Sequence, residues 1–66
     1  MLKINGESVP EAAGQTVGAY LESVGLNTNS IAVEWNEEIL PKEKYDTTVL
    51  QDGDVVEIVT FMGGGC

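Results

Sequence analysis

Val55-Val56-Glu57-Ile58-Val59-Thr60-Phe61 is the stretch whose reading decides the fold. β-Branched and aromatic residues fill it, and these fit a pleated, half-buried surface. Side chains alternate along a strand. Val56, Ile58 and Thr60 therefore point one way, and Val55, Glu57, Val59 and Phe61 the other. A strand that is apolar on both faces belongs in the middle of its sheet. Val56 and Ile58 are expected to face the core, because a charged Glu57 is costly to bury. Val55, Val59 and Phe61 then form an apolar patch on the opposite face, unless segment 42–48 folds over it. Exposed contiguous apolar surface marks an interface. The chain continues through Met62 into Gly63-Gly64-Gly65-Cys66. Consecutive glycines cannot pack a core and lose the most freedom on ordering. Residues 63–66 are thus expected to be a flexible tail, and residues 1–62 the folded domain.

The rest of the chain supplies neighbours for that strand. Leu2 and Ile4 share one face of a short N-terminal strand. Asn5-Gly6 follows, the strongest short hairpin signal, since a type I′ turn needs positive φ at both positions. Glu7 to Pro10 reads as the return strand. Pro10 has no N–H to give a ladder, which places that strand at an edge. Glu11 to Gln15 reads as a loop. Thr16 is a candidate helix cap. Val17, Tyr20, Leu21 and Val24 then recur at helical spacing, and Gly25 is the expected terminator. The predicted helix covers about 16–24, is weakened by Gly18, and is too short to stand without a sheet beneath it.

Asn27 to Asn29 is a polar loop. Ile31-Ala32-Val33-Glu34-Trp35 reads as a strand, Asn36-Glu37 as a turn, and Glu38-Ile39-Leu40 as a short strand closed by Pro41. Segment 42–48 lacks a clean period; Tyr45 is expected to pin it to the core edge. Val49-Leu50 can pair briefly, and Gln51-Asp52-Gly53-Asp54 is a tight turn. Two hairpin-like pairs thus flank one helix. An α+β fold satisfies every element: a mixed four- to five-stranded sheet, one helix packed on one face, and the first and last strands side by side in the middle. That is the β-grasp, or ubiquitin-like, arrangement.

Composition narrows the chemistry. With 66 residues there is one small domain, which buries only about 60% of its unfolded surface and has no room for a cleft between lobes. The chain has no His and one Cys, too few ligands for a zinc site or an iron–sulfur cluster of its own. A lone Cys makes no intrachain disulfide, and no signal peptide is recognisable, so a reducing cytoplasm is the expected compartment. The net charge of −8 argues against nucleic acid, which needs a basic footprint. It serves solubility, and it also suits a basic protein partner steered in electrostatically. Lys42 and Lys44 read as ordinary surface, and Trp35 as partial core.

Catalysis commonly needs a base beside a nucleophile, or a metal. Cys66 has neither beside it. Its own carboxylate and the net negative charge oppose the thiolate, which is the reactive form. The glycines are no phosphate loop, since no helix and no Lys-Ser/Thr follows them. The chemistry left is that of the terminus: an unhindered glycine carboxylate on a thread narrow enough to enter a slot in another protein. The chain then reads as a co-substrate and not an enzyme.

Across its whole length the sequence resembles the ThiS family, the sulfur carrier proteins of thiamine biosynthesis. The resemblance is carried by Leu2 to Gly6, Ala13-Gly14-Gln15-Thr16-Val17, and Ile31-Ala32-Val33-Glu34 followed by Asn36. It continues in Ile39-Leu40-Pro41-Lys42, Gln51-Asp52-Gly53-Asp54 and Glu57-Ile58-Val59 running into the glycines. The family implies that a ThiF-like adenylyltransferase uses ATP and Mg²⁺ to make an acyl-adenylate at the terminal glycine, the carrier itself binding no cofactor. Sulfur from a cysteine desulfurase converts it to a thiocarboxylate, and a ThiG-like thiazole synthase takes the sulfur. On this sequence Gly65 is the implied acyl carrier and Gly64 its lead-in. Val55, Val59, Phe61, Met62 and Gly63 are the expected partner-binding residues, and the free chain is expected to be a monomer. The family's active form ends in glycine, whereas Cys66 follows Gly65 here. Either a protease removes Cys66, or Cys66 itself holds sulfur as a persulfide. Related carriers for molybdopterin or for cysteine and methionine synthesis, a protein modifier joined to lysines, and a plain interaction module are the alternative readings.

Overall fold

The computed structural model describes residues 1–60; the expectations for Phe61, Met62, Gly63, Gly64, Gly65 and Cys66 lie outside the described residues. Strands β1 (Lys3–Ile4) and β2 (Glu7–Ser8) form the N-terminal hairpin. Asn5 and Gly6 both have positive φ, 54° and 82°, as a type I′ turn requires. Helix α1 (Val17–Ser23) follows, then β3 (Ile31–Trp35), β4 (Glu38–Leu40) and β5 (Val55–Thr60). The five strands make one sheet in the order β2-β1-β5-β3-β4. β1 and β5 are parallel, and every other neighbouring pair is antiparallel. The long apolar strand is therefore central and the proline-flanked one is at the edge. This is the β-grasp fold.

One face of the sheet and one side of α1 enclose the core. Leu2, Ile4, Val17, Leu21, Ile31, Val33, Leu40 and Val56 are buried there, with Ala12, Tyr45 and Leu50 closing its margins. Ile58, Trp35 and Tyr20 pack against the cluster while partly exposed. Each fully buried Leu or Val contributes about 1.5–3 kcal/mol by leaving water, so in a chain this short a single core truncation matters.

Both ends of α1 follow from local chemistry. The Thr16 hydroxyl accepts from Ala19 N–H at 3.1 Å, which satisfies one of the unpaired first-turn donors. At the other end Gly25 takes φ +80°. Gly25 N–H then bonds to Glu22 O, and Leu26 N–H to Leu21 O. That pair of bonds is a Schellman motif, and it turns the chain so that Leu26 covers the core edge.

Several expectations need correction. Val24 is not on the buried stripe: α1 ends at Ser23 and Val24 is exposed, its place against the core being taken by Leu26. The return strand stops at Ser8 and does not reach Pro10. Val9 still donates to Leu2 O, but Pro10 opens a 3-10 turn, Pro10–Ala12, where its fixed φ is favourable and its missing N–H costs nothing. Two further stretches read as irregular hold 3-10 turns, Thr28–Ser30 and Lys42–Lys44. Val49 pairs only as an isolated bridge to Thr16. Lys42 is not wholly idle surface, since its Nζ donates to Asn29 Oδ1 at 3.0 Å.

Candidate functional site

Segment 42–48 settles which face of the sheet the described residues leave uncovered. Tyr45 is buried, its carbonyl accepts from Gly18 N–H, and Thr48 O accepts from Val17 N–H. The segment is thus tied to the start of α1, on the helix side. A Cβ placed on Gly18 would meet the end of the exposed Asp46 side chain, while the Tyr45 backbone would lie at ordinary contact distance. The groove between them, lined in part by Gly18, Glu22, Lys42 and Tyr45, also opens on the helix side. Val55 and Val59, 46% and 56% exposed, are left facing solvent on the other side.

Strand register supplies the neighbours of these two valines. Val59 lies opposite Ala32, Glu57 opposite Glu34, and Val55 opposite Lys3. Glu34 is in turn opposite Ile39 on β4. Ile39 is 68% exposed and was not singled out in the sequence. Its signal was there: once Leu40 must face the core, alternation sends Ile39 to the bare face. The face is also less uniform than expected. Val55 and Val59 do not touch along the strand, because Glu57 stands between them. Apolar side chains surround an acidic centre formed by Glu34 and Glu57, directly opposed. Like charges directly opposite on a sheet are unfavourable to one another.

The start of β5 is held by a polar knot. Asp54 accepts from the Trp35 indole N–H at 3.0 Å, from Asn36 Nδ2 at 3.1 Å and from Gln51 N–H at 3.0 Å. Asn36 Oδ1 accepts from Val55 N–H at 2.9 Å, while Asn36 N–H donates to Val55 O. These bonds fasten the 36–37 turn and the 51–54 turn to one another, which fixes the direction in which β5 sets out toward the C-terminal glycines. Asn36 and Glu37 both have positive φ, 53° and 71°, so the β3–β4 turn is the second type I′ hairpin of the fold.

Among the described residues Tyr45 is the buried ionisable side chain, Tyr20, Glu34 and Asp54 are half-buried, and the others are exposed. Burial pushes the Tyr45 phenol above its ordinary value, and the Val33 backbone opposes part of that shift. Asp52 is held below the usual carboxylate range by a hydrogen bond and charge attraction from the Met1 ammonium, 2.7 Å away. Among the described residues no cluster of metal-ligating side chains forms, and no helix is long and apolar enough to cross a membrane.

Among the described residues, a single helix on a five-stranded sheet, with nothing covering the opposite face and the central strand leading to the chain's last residues, defines a β-grasp protein of the ubiquitin-like class. The ThiS family profile matches residues 2–65, and the chain belongs to that family. It is 42% identical to the sulfur carrier protein ThiS of Bacillus subtilis over 66 residues, covering 98% of this chain and 100% of that one. A crystal structure of a thiamine biosynthesis protein (ThiS) from Geobacter metallireducens superposes with a TM-score of 0.75 at 37% identity, covering 97% of both chains. A thiazole synthase of Paramagnetospirillum magneticum is 47% identical over 64 residues, 97% of this chain, but the chain spans only 20% of that protein's length.

Proposed function

We propose that this chain is the sulfur carrier of thiazole formation in thiamine biosynthesis, a protein co-substrate and not a catalyst. The observation that carries the reading is the family match across residues 2–65, which takes in Gly64 and Gly65. In this reading residues 1–62 are a recognition handle and residues 63–66 the reactive end. A ThiF-like adenylyltransferase, using ATP and Mg²⁺, joins AMP to the Gly65 carboxylate and releases pyrophosphate. The terminal sulfur of a cysteine-desulfurase persulfide then displaces AMP to give an acyl disulfide, and a thiol reductant cleaves its S–S bond, leaving the thiocarboxylate and being oxidised to a disulfide itself. A ThiG-like thiazole synthase accepts that sulfur. The similarity to a thiazole synthase favours this acceptor over molybdopterin synthesis. The need for ATP and for thiol-bound sulfur in these steps supports a cytoplasmic location.

Val55 and Val59 make the docking face with Ile39, and the Glu34–Glu57 centre selects basic groups on the partner. Phe61, Met62 and Gly63 lead the chain from β5 into the partner's slot. A side chain at Gly64 collides there, so Gly64→Ala blocks adenylation while leaving the fold intact. Cys66 is removed by a protease before activation, which frees the Gly65 carboxylate. The test is to incubate the 1–65 and 1–66 forms with the activating enzyme, ATP and a sulfur donor, and to weigh the products. The 1–65 form gains the mass change of one oxygen replaced by sulfur, and the 1–66 form does not. Sulfur on Cys66 of the 1–66 form, with none on Gly65 of the shorter one, overturns the assignment.

A further inference from the structure

β5 outruns its parallel neighbour. The β1–β5 ladder runs through Lys3 opposite Val55 and Ile4 opposite Val56, and Asn5 N–H donates to Val56 O at 2.8 Å. A parallel ladder would next send Ile58 N–H to the Asn5 backbone carbonyl. Asn5 has already turned into the left-handed region, and its side-chain Oδ1 accepts the Ile58 N–H instead, at 2.7 Å. Asn5 thus ends the ladder as well as making the turn. On the other edge β3 follows β5 to its last residue, with Ile31 opposite Thr60.

Backbone groups alternate sides along a strand. Those of Glu57 and Val59 point to β3, and those of Ile58 and Thr60 point to the side β1 has left. The Ile58 carbonyl and the Thr60 N–H therefore face that side with no hydrogen-bond partner among the described residues. An unpaired strand edge is a template for another strand.

We propose that this short edge, the Ile58 carbonyl and the Thr60 N–H, receives an extended segment of the enzyme that takes up the C-terminal glycine. That segment adds as a strand beside β5 in the place β1 vacates. The proposal rests on the carrier reading, which also argues for this occupant. Gly65 follows Thr60 by five positions, and a fully extended chain spans at most ~3.3–3.6 Å per residue. A protein that closes around Gly65 therefore lies within ~18 Å of the end of β5, near enough to lend it a strand. Strand pairing there would align the entering segment with little dependence on side chains. It would also leave the bare face, with Val59, free to make its own contacts.

Amide hydrogen exchange read by NMR tests this on the full chain, alone and with the thiazole synthase or the activating enzyme. Thr60 N–H is expected to exchange fast in the free chain and to slow on the order of 100-fold in one of the complexes. Glu57 and Val59, bonded to β3, stay protected throughout. Thr60→Pro removes this N–H without touching the β3 ladder; it weakens binding ~10-fold with the melting temperature unchanged, since one hydrogen bond is lost. Thr60→Val, which removes only the hydroxyl, binds normally. Protection of Thr60 already in the free chain shows the edge filled by the chain's own residues or a second copy, and overturns the proposal. Complexes in which Thr60 stays fast overturn the edge pairing alone. Failure to bind either enzyme overturns the carrier reading and this proposal with it.

Discussion

The Trp35 indole N–H donates to Asp54 Oδ2 at 3.0 Å, joining residues 19 positions apart. The same carboxylate takes Asn36 Nδ2 and Gln51 N–H, so one side chain ties the end of β3 to the turn that launches β5. Asp54→Ala strands a part-buried indole donor and frees the 51–54 turn. A loss of about 1–3 kcal/mol is expected. The urea midpoint of the variant measures it, and Trp35 fluorescence shifts to the red in the folded baseline as the ring gains water.

Gly18 offers a test of why a glycine stands inside α1. Helix propensity alone says that Gly18→Ala should stabilise by about 1 kcal/mol. The exposed Asp46 carboxylate occupies the space of the new methyl group and has to swing aside, so part of the gain is lost in the single variant. Combining Gly18→Ala with Asp46→Ala should restore it, and a double-mutant cycle on thermal unfolding reads the coupling. Simple additivity would mean that the carboxylate moves aside without cost.

On the bare face, Val59→Asp and Ile39→Asp should each leave the fold intact, because both side chains are already more than half exposed. Surface changes of this kind stay within about 0.5 kcal/mol of wild type. Binding to the activating enzyme or to the thiazole synthase should fall ~10-fold or more, as expected when an apolar contact in an interface centre is replaced by a charge. Titration calorimetry with the purified partner measures it. Unchanged affinity for both variants would remove this face from the docking account.

Tyr45 should make stability fall in alkali. Burial raises its folded-state value above the ordinary 10.0, so the folded chain holds the phenolic proton more tightly than the unfolded one. The contribution is fully present below pH 10 and is lost as pH rises through the folded value. Urea midpoints between neutral pH and strong alkali should decline, and Tyr45→Phe, which has no proton to lose, should flatten the decline.

Salt gives the remaining check on the acidic centre. The chain carries a net charge of −8, and Glu34 faces Glu57 across the strands. Association with a basic partner should therefore slow as ionic strength rises, because charges beyond about 8–10 Å are screened at physiological salt. Stopped-flow association rates measure this, and Glu57→Gln should lessen the dependence while leaving dissociation less affected.

Local chemistry made much of this protein legible. Asn5-Gly6 announces its turn because few residues take positive φ; in the second turn Asn36 carries that mark and Glu37 does not. Thr16 and Gly25 bound the helix because a cap and a left-handed stop leave sequence marks. The two apolar faces of residues 55–60 place β5 in the centre, and the glycines at 63–65 point to chemistry at the terminus. What the sequence could not decide depends on contacts between distant segments. Val24 fits a helical stripe, yet only the Schellman turn, which sends Leu26 to the core, leaves it in solvent. Segment 42–48 could have covered Val55 and Val59; the bond from Gly18 to Tyr45 draws it to the helix side instead. Nor does alternation alone reveal that Glu34 and Glu57 meet, or that Asn5 caps β5 in place of a missing strand. Register between strands is a long-range property, set by how the whole core packs, and a shift of one residue would turn every side chain to the other face.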